Sequence, residues 1–206
     1  TDEFKALEKE FEGHLFFKSV DLSDSAGVHK VIFREFITNN IVLHGFVNNA
    51  ALAYDDIITN LNLGRLQDMY HVNVFSPMMI TKYAIRNMLL HKTKGSIIHI
   101  SSISVHTGYK GLAMYASSKG AMEAFSKDTA REWGVLGIRS NCVVPGFMAT
   151  AMSASLTDEQ RSKIYARTSL KTATSINSVA ETVSFLLSDK ACSITGQNIH
   201  VDNGTI

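Results

Sequence analysis

Three short apolar runs limit what this chain can become. IVLHGFV at 41–47, SIIHIS at 96–101 and IRSNCVVPG at 138–146 read as β-strands, and a helix of ten residues or more fits between each and the next. Strands alternating with helices imply a parallel sheet, because a parallel pair is joined only by a crossover long enough to hold a helix. The expected fold is therefore α/β, a doubly wound parallel sheet covered on both faces, with residues 1–206 forming one domain. Ligands of such sheets bind beyond the carboxyl ends of the strands. The first run is followed by Asn48 and Asn49, the second ends at Ser101 and Ser102, and the third ends at Pro145 and Gly146. These polar or Gly/Pro breaks fall on one edge of the sheet and predict a single cleft.

The remaining elements follow from periodicity. Phe4, Leu7 and Phe11 at helical spacing predict a surface helix stopped at Gly13, and HLFFKSVDL predicts a strand over 15–21. Val28, Val31, Ile32 and Phe36 share one side of a second helix. A long helix is predicted from about Asn62 to His91 and another from about Met114 to Trp133. Residues 147–172 read as a polar, partly helical excursion before the helix SINSVAETVSFLLSD and a last strand, QNIHVD. Pro145 lacks the N–H that a ladder needs and should end its strand.

Composition removes several function classes. Twenty basic against 19 acidic residues give a net charge of +1 without a basic stripe, which argues against nucleic-acid binding. No apolar run approaches the roughly 20 residues of a membrane span, and no signal peptide opens the chain, so a cytoplasmic protein is expected. Cys142 and Cys192 are too few for a disulfide framework and are expected to sit reduced in or near the core. The eight histidines lack metal-ligand spacing, so no metal site is expected.

Tyr115 and Lys119 in YASSK stand four apart at the start of a predicted helix and share a face. Lowering a phenol pKa from about 10 toward 7 takes roughly 4 kcal/mol, the order one cation about 4 Å away supplies at an effective dielectric near 20. Such a tyrosine is a general acid or base near neutral pH, and Ser102 beside it would hold a substrate oxygen. Chance alone gives a YxxxK pair in about 0.4 of such chains, so the pair is weak by itself. It gains weight from Ser102, immediately after a strand, and from Asn73 in MYHVNVF, since asparagine inside a helix is a poor former that is either satisfied locally or functional.

Taken together, NNA at 48–50, VNV around Asn73, Ser102, Tyr115 with Lys119, Pro145 with Gly146, and Thr150 resemble the short-chain dehydrogenase/reductase family in identity and spacing. The resemblance implies a Rossmann-type fold and NAD(P)H-dependent reduction of a carbonyl. By it, Tyr115 is the proton donor, Ser102 orients the carbonyl, Lys119 binds the nicotinamide ribose and lowers the tyrosine pKa, and Asn73 holds a proton-relay water. Among cofactor contacts it places Asp21 and Leu22 toward the adenine and Asn48 and Ala50 toward the ribose. Pro145, Gly146, Met148 and Thr150 take the nicotinamide end, beside Tyr115 and Lys119 themselves. PGFMATAM, LTDEQRSKI and the ending SDKACSITGQNIHVDNG look like the 3-oxoacyl-acyl-carrier-protein reductases, which implies NADP (NAD being possible), an acyl-thioester substrate, an acyl carrier protein as partner and a homotetramer. At the positions aligned with carrier-docking arginines stand Thr93 and Leu136, with Lys92, Lys94 and Arg131 as substitutes. Met114, Met148 and Met152 either line an acyl pocket or fill the core. His106 either touches substrate or is solvated.

No TGxxxGxG turn, which would bring backbone N–H groups to a pyrophosphate, occurs in the sequence. Strands 1 and 2 of the family's order 3-2-1-4-5-6-7 are therefore expected to be missing. That would leave an empty slot of about 14 Å between the strands at 15–21 and 41–47, or else the two would pair directly. The alternative functions are a noncatalytic domain that keeps the cleft, or a reductase or dehydrogenase of another ketone or secondary alcohol.

Overall fold

The computed structural model describes residues 2–150, 153 and 156–206. The sequence alternation builds a four-stranded parallel sheet from β1 (Gly45–Asn48), β2 (Ser96–Ile100), β3 (Arg139–Pro145) and β4 (Asn198–Val201), arranged spatially in chain order. The helices are α1 (Asp2–Glu10), α2 (Val28–Lys30), α3 (Leu63–Tyr70), α4 (Ser76–His91), α5 (Ser104–Thr107), α6 (Ala113–Trp133), α7 (Asp158–Tyr165) and α8 (Ile176–Leu187). Wider π-helical turns follow α2 at Val31–Phe36 and join α3 to α4 at His71–Phe75, so the long helix expected over 62–91 is continuous but locally unwound.

β2 shows how both sheet faces are filled. Successive side chains of a strand point to opposite faces, and fully buried Ile97 packs with Ile85, Met88, Ile138 and Trp133, whereas fully buried Ile98 packs with Val143, Val179, Leu186 and Ala191. Helices α4 and α6 therefore cover one face and α8 the other. Because the strands step in one direction, moving the last connecting helix to the opposite face reverses the hand of that crossover. The connection to α8 leaves β3 at the carboxyl edge of the sheet, where Thr174 N donates to Phe147 O.

The N-terminal part departs from expectation. Residues 15–20 form no strand and pair with nothing in the sheet, and Phe16 and Phe17 are about 70% exposed. Direct pairing with β1 is not found: β1 has β2 as its one neighbour among the described strands. The strand expected over 41–47 is shorter and shifted, because Asn87 captures its start: Leu43 N donates to Asn87 Oδ1 and Asn87 Nδ2 to Ile41 O, each at 2.8–2.9 Å. Cys142 is buried as expected, but Cys192 is exposed, since it follows the short 3₁₀ turn Asp189–Ala191 at the surface. No described helix is long and apolar enough to cross a membrane.

Candidate active site

The carboxyl end of β2 leads directly into the site. Ser101 N donates to Val143 O (2.8 Å) and Ile103 N to Pro145 O (3.0 Å), so the chain continues along β3 for one more turn before α5 and holds Ser102 at the sheet edge. The Ser102 hydroxyl stands close enough to the Tyr115 phenol to act on it as a donor and lower its pKa. Its oxygen also accepts from Ser104 N (3.2 Å) and Ser104 Oγ (3.0 Å), which occupies both lone pairs and leaves its own O–H to donate. One turn along α6, Lys119 Nζ lies 5.7 Å from the centre of the Tyr115 ring and donates to Ile100 O at 2.8 Å. Ser102, Tyr115 and Lys119 thus come together at the end of β2.

Asn73 lies in the π turn, is 2% exposed, and is fully engaged. Its Oδ1 accepts from Leu52 N (2.8 Å) while its Nδ2 donates to Leu52 O (2.8 Å) and to Ser118 Oγ (3.0 Å). This amide clamps the loop that leaves β1 against the helix bearing Tyr115. Asn48, buried at the end of β1, has its Nδ2 3.5 Å from Nδ1 of His99. Ala50 is exposed just beyond it.

The electrostatics correct one expectation. The Tyr115 pKa is raised, not lowered, chiefly because the phenol is buried and further because the Asp55 carboxylate is nearby; the Ser102 hydroxyl opposes both. The Lys119 ammonium is turned to the Ile100 carbonyl. Lys119 itself is pushed down to about 8 by burial. Below it His99 is completely buried and held down to about 4, by burial and by the Lys119 charge, and its Nε2 has no hydrogen-bond partner.

Other candidates scatter. Pro145 closes β3 and Gly146 follows it without room for a side chain: a Cβ there would stand 2.5 Å from Thr174 Oγ1 and 2.7 Å from Asp202 Cα. Met148, half-buried, packs against the α8-side core, and Met114 is buried beside Tyr54 and Met69 as core filler; Met152 lies outside the described residues. Thr150 N donates to Ser153 Oγ. Asp21 accepts from Ser23 through its backbone and hydroxyl, which lowers the Asp21 pKa, and Leu22 O accepts from Ser76 Oγ (2.6 Å). No described hydrogen bond joins Asp21 or Leu22 to Ser102, Tyr115 or Lys119. A cavity of about 840 Å³ lies elsewhere, between the Val31–Phe36 turn and α4, and is lined by residues such as Phe33, Tyr83 and Arg86. His106 is not simply solvated: its Nε2 is 3.1 Å from the carboxylate of buried Glu123. Sequence reading missed Glu123, although a carboxylate four residues beyond Lys119 on the same helical face was a usable signal.

Known proteins resemble the chain along most of its length. A family model described as enoyl-(acyl carrier protein) reductase matches residues 1–205. The 3-oxoacyl-[acyl-carrier-protein] reductase of Escherichia coli is 34% identical over 188 residues, 90% of this chain and 75% of that protein. The Salmonella typhimurium reductase of the same name is 36% identical over 158 residues (77% and 64%), and carbonyl reductase [NADPH] 2 of Sus scrofa 35% over 160 (77% and 66%). The chain therefore spans about two thirds to three quarters of these relatives. Among solved structures, a 4-hydroxyisoleucine dehydrogenase complexed with NADH superposes with a TM-score of 0.91 at 24% identity, covering 100% of this chain and 85% of that one, a likeness of fold alone. A short-chain dehydrogenase/reductase family protein gives 0.85 at 25% identity, covering 97% and 80%. Motifs, sheet and matches along nearly the whole sequence agree: the chain belongs to the short-chain dehydrogenase/reductase family of oxidoreductases.

Proposed function

We propose that the protein reduces a ketone to a secondary alcohol with a nicotinamide cofactor, the Ser102–Tyr115 hydroxyl pair receiving the carbonyl oxygen. That pair, half-buried beside a buried ammonium, is the observation that carries the reading. A raised phenol pKa suits this direction of reaction, because Tyr115 stays protonated at neutral pH and has a proton to give. The carbonyl oxygen accepts the free Ser102 O–H and a second hydrogen bond from Tyr115. As the new C–H bond forms, the carbonyl π pair moves to oxygen and the Tyr115 proton follows; the phenolate is then neutralised by a proton from solvent. Both donors are in place where negative charge develops, the arrangement that most lowers a barrier of this kind.

A nicotinamide cofactor, when bound, supplies the hydride. Lys119 fits such a group: it is a buried ammonium with one hydrogen bond among the described residues, so two N–H donors are left for ribose hydroxyls. Asn48 and Pro145 end β1 and β3, Ala50, Gly146 and Thr150 lie just beyond them, and all five are assigned to the same cofactor; Asp21, Leu22 and Met148 keep that role from the family resemblance alone. The resemblance also supplies NADPH, a 3-oxoacyl thioester carried on an acyl carrier protein, a homotetramer and a cytoplasmic setting. Lys92, Lys94 and Arg131 are exposed, but they precede β2 or close α6 and so lie at the amino edge of the sheet, across from Ser102 in the same chain.

The test is a steady-state assay of NADPH and NADH against acetoacetyl-coenzyme A and a panel of simple ketones. Cofactor oxidation that depends on thioester is the expected result. Turnover restricted to simple ketones moves the substrate to the second reading, and no turnover with any pair overturns the proposal.

A further inference from the structure

We infer that Glu123 is a positioning residue for Ser102, acting through Ser101 and His106; this rests on the reading of Ser102 and Tyr115 as the pair that handles the substrate oxygen. Tyr115, Lys119 and Glu123 recur every four residues and occupy one face of α6. Glu123 is 6% exposed. Its Oε1 accepts from Ser101 Oγ (2.5 Å) and lies 3.1 Å from His106 Nε2, while its Oε2 accepts from Asn198 Nδ2 (2.6 Å) on β4. One carboxylate therefore grips the segment carrying Ser102 on both sides, at the residue before it and at the residue four after it. The bonds Ser102 receives from Ser104 are internal to that segment and fix nothing relative to Tyr115. Backbone bonds from Ser101 and Ile103 hold it to β3. Glu123 and Lys119 tie it to α6, where the phenol stands.

A buried carboxylate is costly unless every oxygen is paired, and this one is paired on both sides in an enzyme whose proposed chemistry does not use it. Misplacing a reacting group by about 1 Å costs on the order of a hundredfold in rate, so slack between the Ser102 segment and α6 should be read in turnover. The pocket also explains which substitution it tolerates. Asn198 Oδ1 is buried without a partner. In Glu123→Gln the new amide N–H would meet that oxygen after a flip of Asn198, while the Gln carbonyl keeps Ser101 and His106.

Ser101→Ala, Glu123→Leu, Glu123→Gln and the double variant Ser101→Ala/Glu123→Leu are to be assayed with NADPH and acetoacetyl-coenzyme A. We expect Ser101→Ala and Glu123→Leu each to lower kcat by about tenfold to a hundredfold with KM for both substrates within about twofold, and the double variant to be no worse than the poorer single one. Glu123→Gln should remain within about threefold of the parent. Independently of activity, amide exchange over residues 101–107 should rise in Glu123→Leu and not in Glu123→Gln, with β3 unchanged. Unchanged kcat in the single variants, a loss confined to KM, effects that multiply, or a Gln variant as damaged as Leu would each overturn the inference. Should Glu123→Leu not fold, Ser101→Ala and Glu123→Gln decide it, by loss in the first and retention in the second. Tyr115→Phe separates the two readings: if it is inactive while Ser101→Ala and Glu123→Leu match the parent, the positioning role alone fails, and if it stays active the reading of the site fails and takes the positioning role with it.

Discussion

Lys119 shows how function and stability pull apart in one side chain. Its folded pKa of about 8 lies below the ordinary 10.5, so the stability linked to it is present above 10.5 and is lost as pH falls through 8. At pH 7 the fold therefore carries a buried charge that it would be more stable without. We expect Lys119→Met to leave the thermal midpoint at pH 7 unchanged or higher, while turnover falls by about 10² or more; a clear drop in midpoint would contradict this account. The two cysteines give a second reading at this scale. Burial pushes the Cys142 thiol up to about 12, whereas Cys192 is exposed. An aromatic disulfide reagent should modify one thiol quickly in the native protein and the second only on unfolding, and Cys192→Ser should abolish the fast phase. Fast modification of both would place Cys142 outside the core.

Among elements, β2 is the most informative, because its alternation of Ile97, Ile98 and His99 defines both cores and the floor of the site. His99 is neutral when folded, with its pKa lowered to about 4 from 6.5, so the stability linked to it is present above 6.5 and lost as pH falls toward 4. Urea midpoints measured from pH 7 to 5 should fall, with a limiting slope of about 1.4 kcal/mol per pH unit, and His99→Leu should flatten the dependence. An equal slope in that variant would assign the effect elsewhere. β2 and β3 were legible in sequence because each is a short apolar run, bounded by polar or Gly/Pro breaks and flanked by helical patterns. The 15–21 segment was not, because an apolar run becomes a strand only when a neighbour accepts its backbone hydrogen bonds. Residues 41–43 were misread for a related reason: Asn87, distant in sequence, satisfies that backbone with a side chain. The same limit hid Glu123, whose partners Ser101, His106 and Asn198 lie on three different elements, and it reversed the expected shift at Tyr115, since spacing showed a lysine at i+4 but neither the burial of the phenol nor the approach of Asp55.

For the whole molecule, the carboxyl edge of the sheet collects the loop clamped by Asn73, the Ser102 segment, the start of α6 and the excursion that crosses to α8. The central claim is that these elements converge to make Tyr115 the proton donor to a substrate carbonyl. Tyr115→Phe tests it most directly, since it removes one oxygen and leaves the ring among its neighbours. With NADPH and acetoacetyl-coenzyme A, kcat should fall by about 10²–10⁴, while circular dichroism and the thermal midpoint match those of the parent. A variant that folds normally and keeps parental turnover would contradict the account.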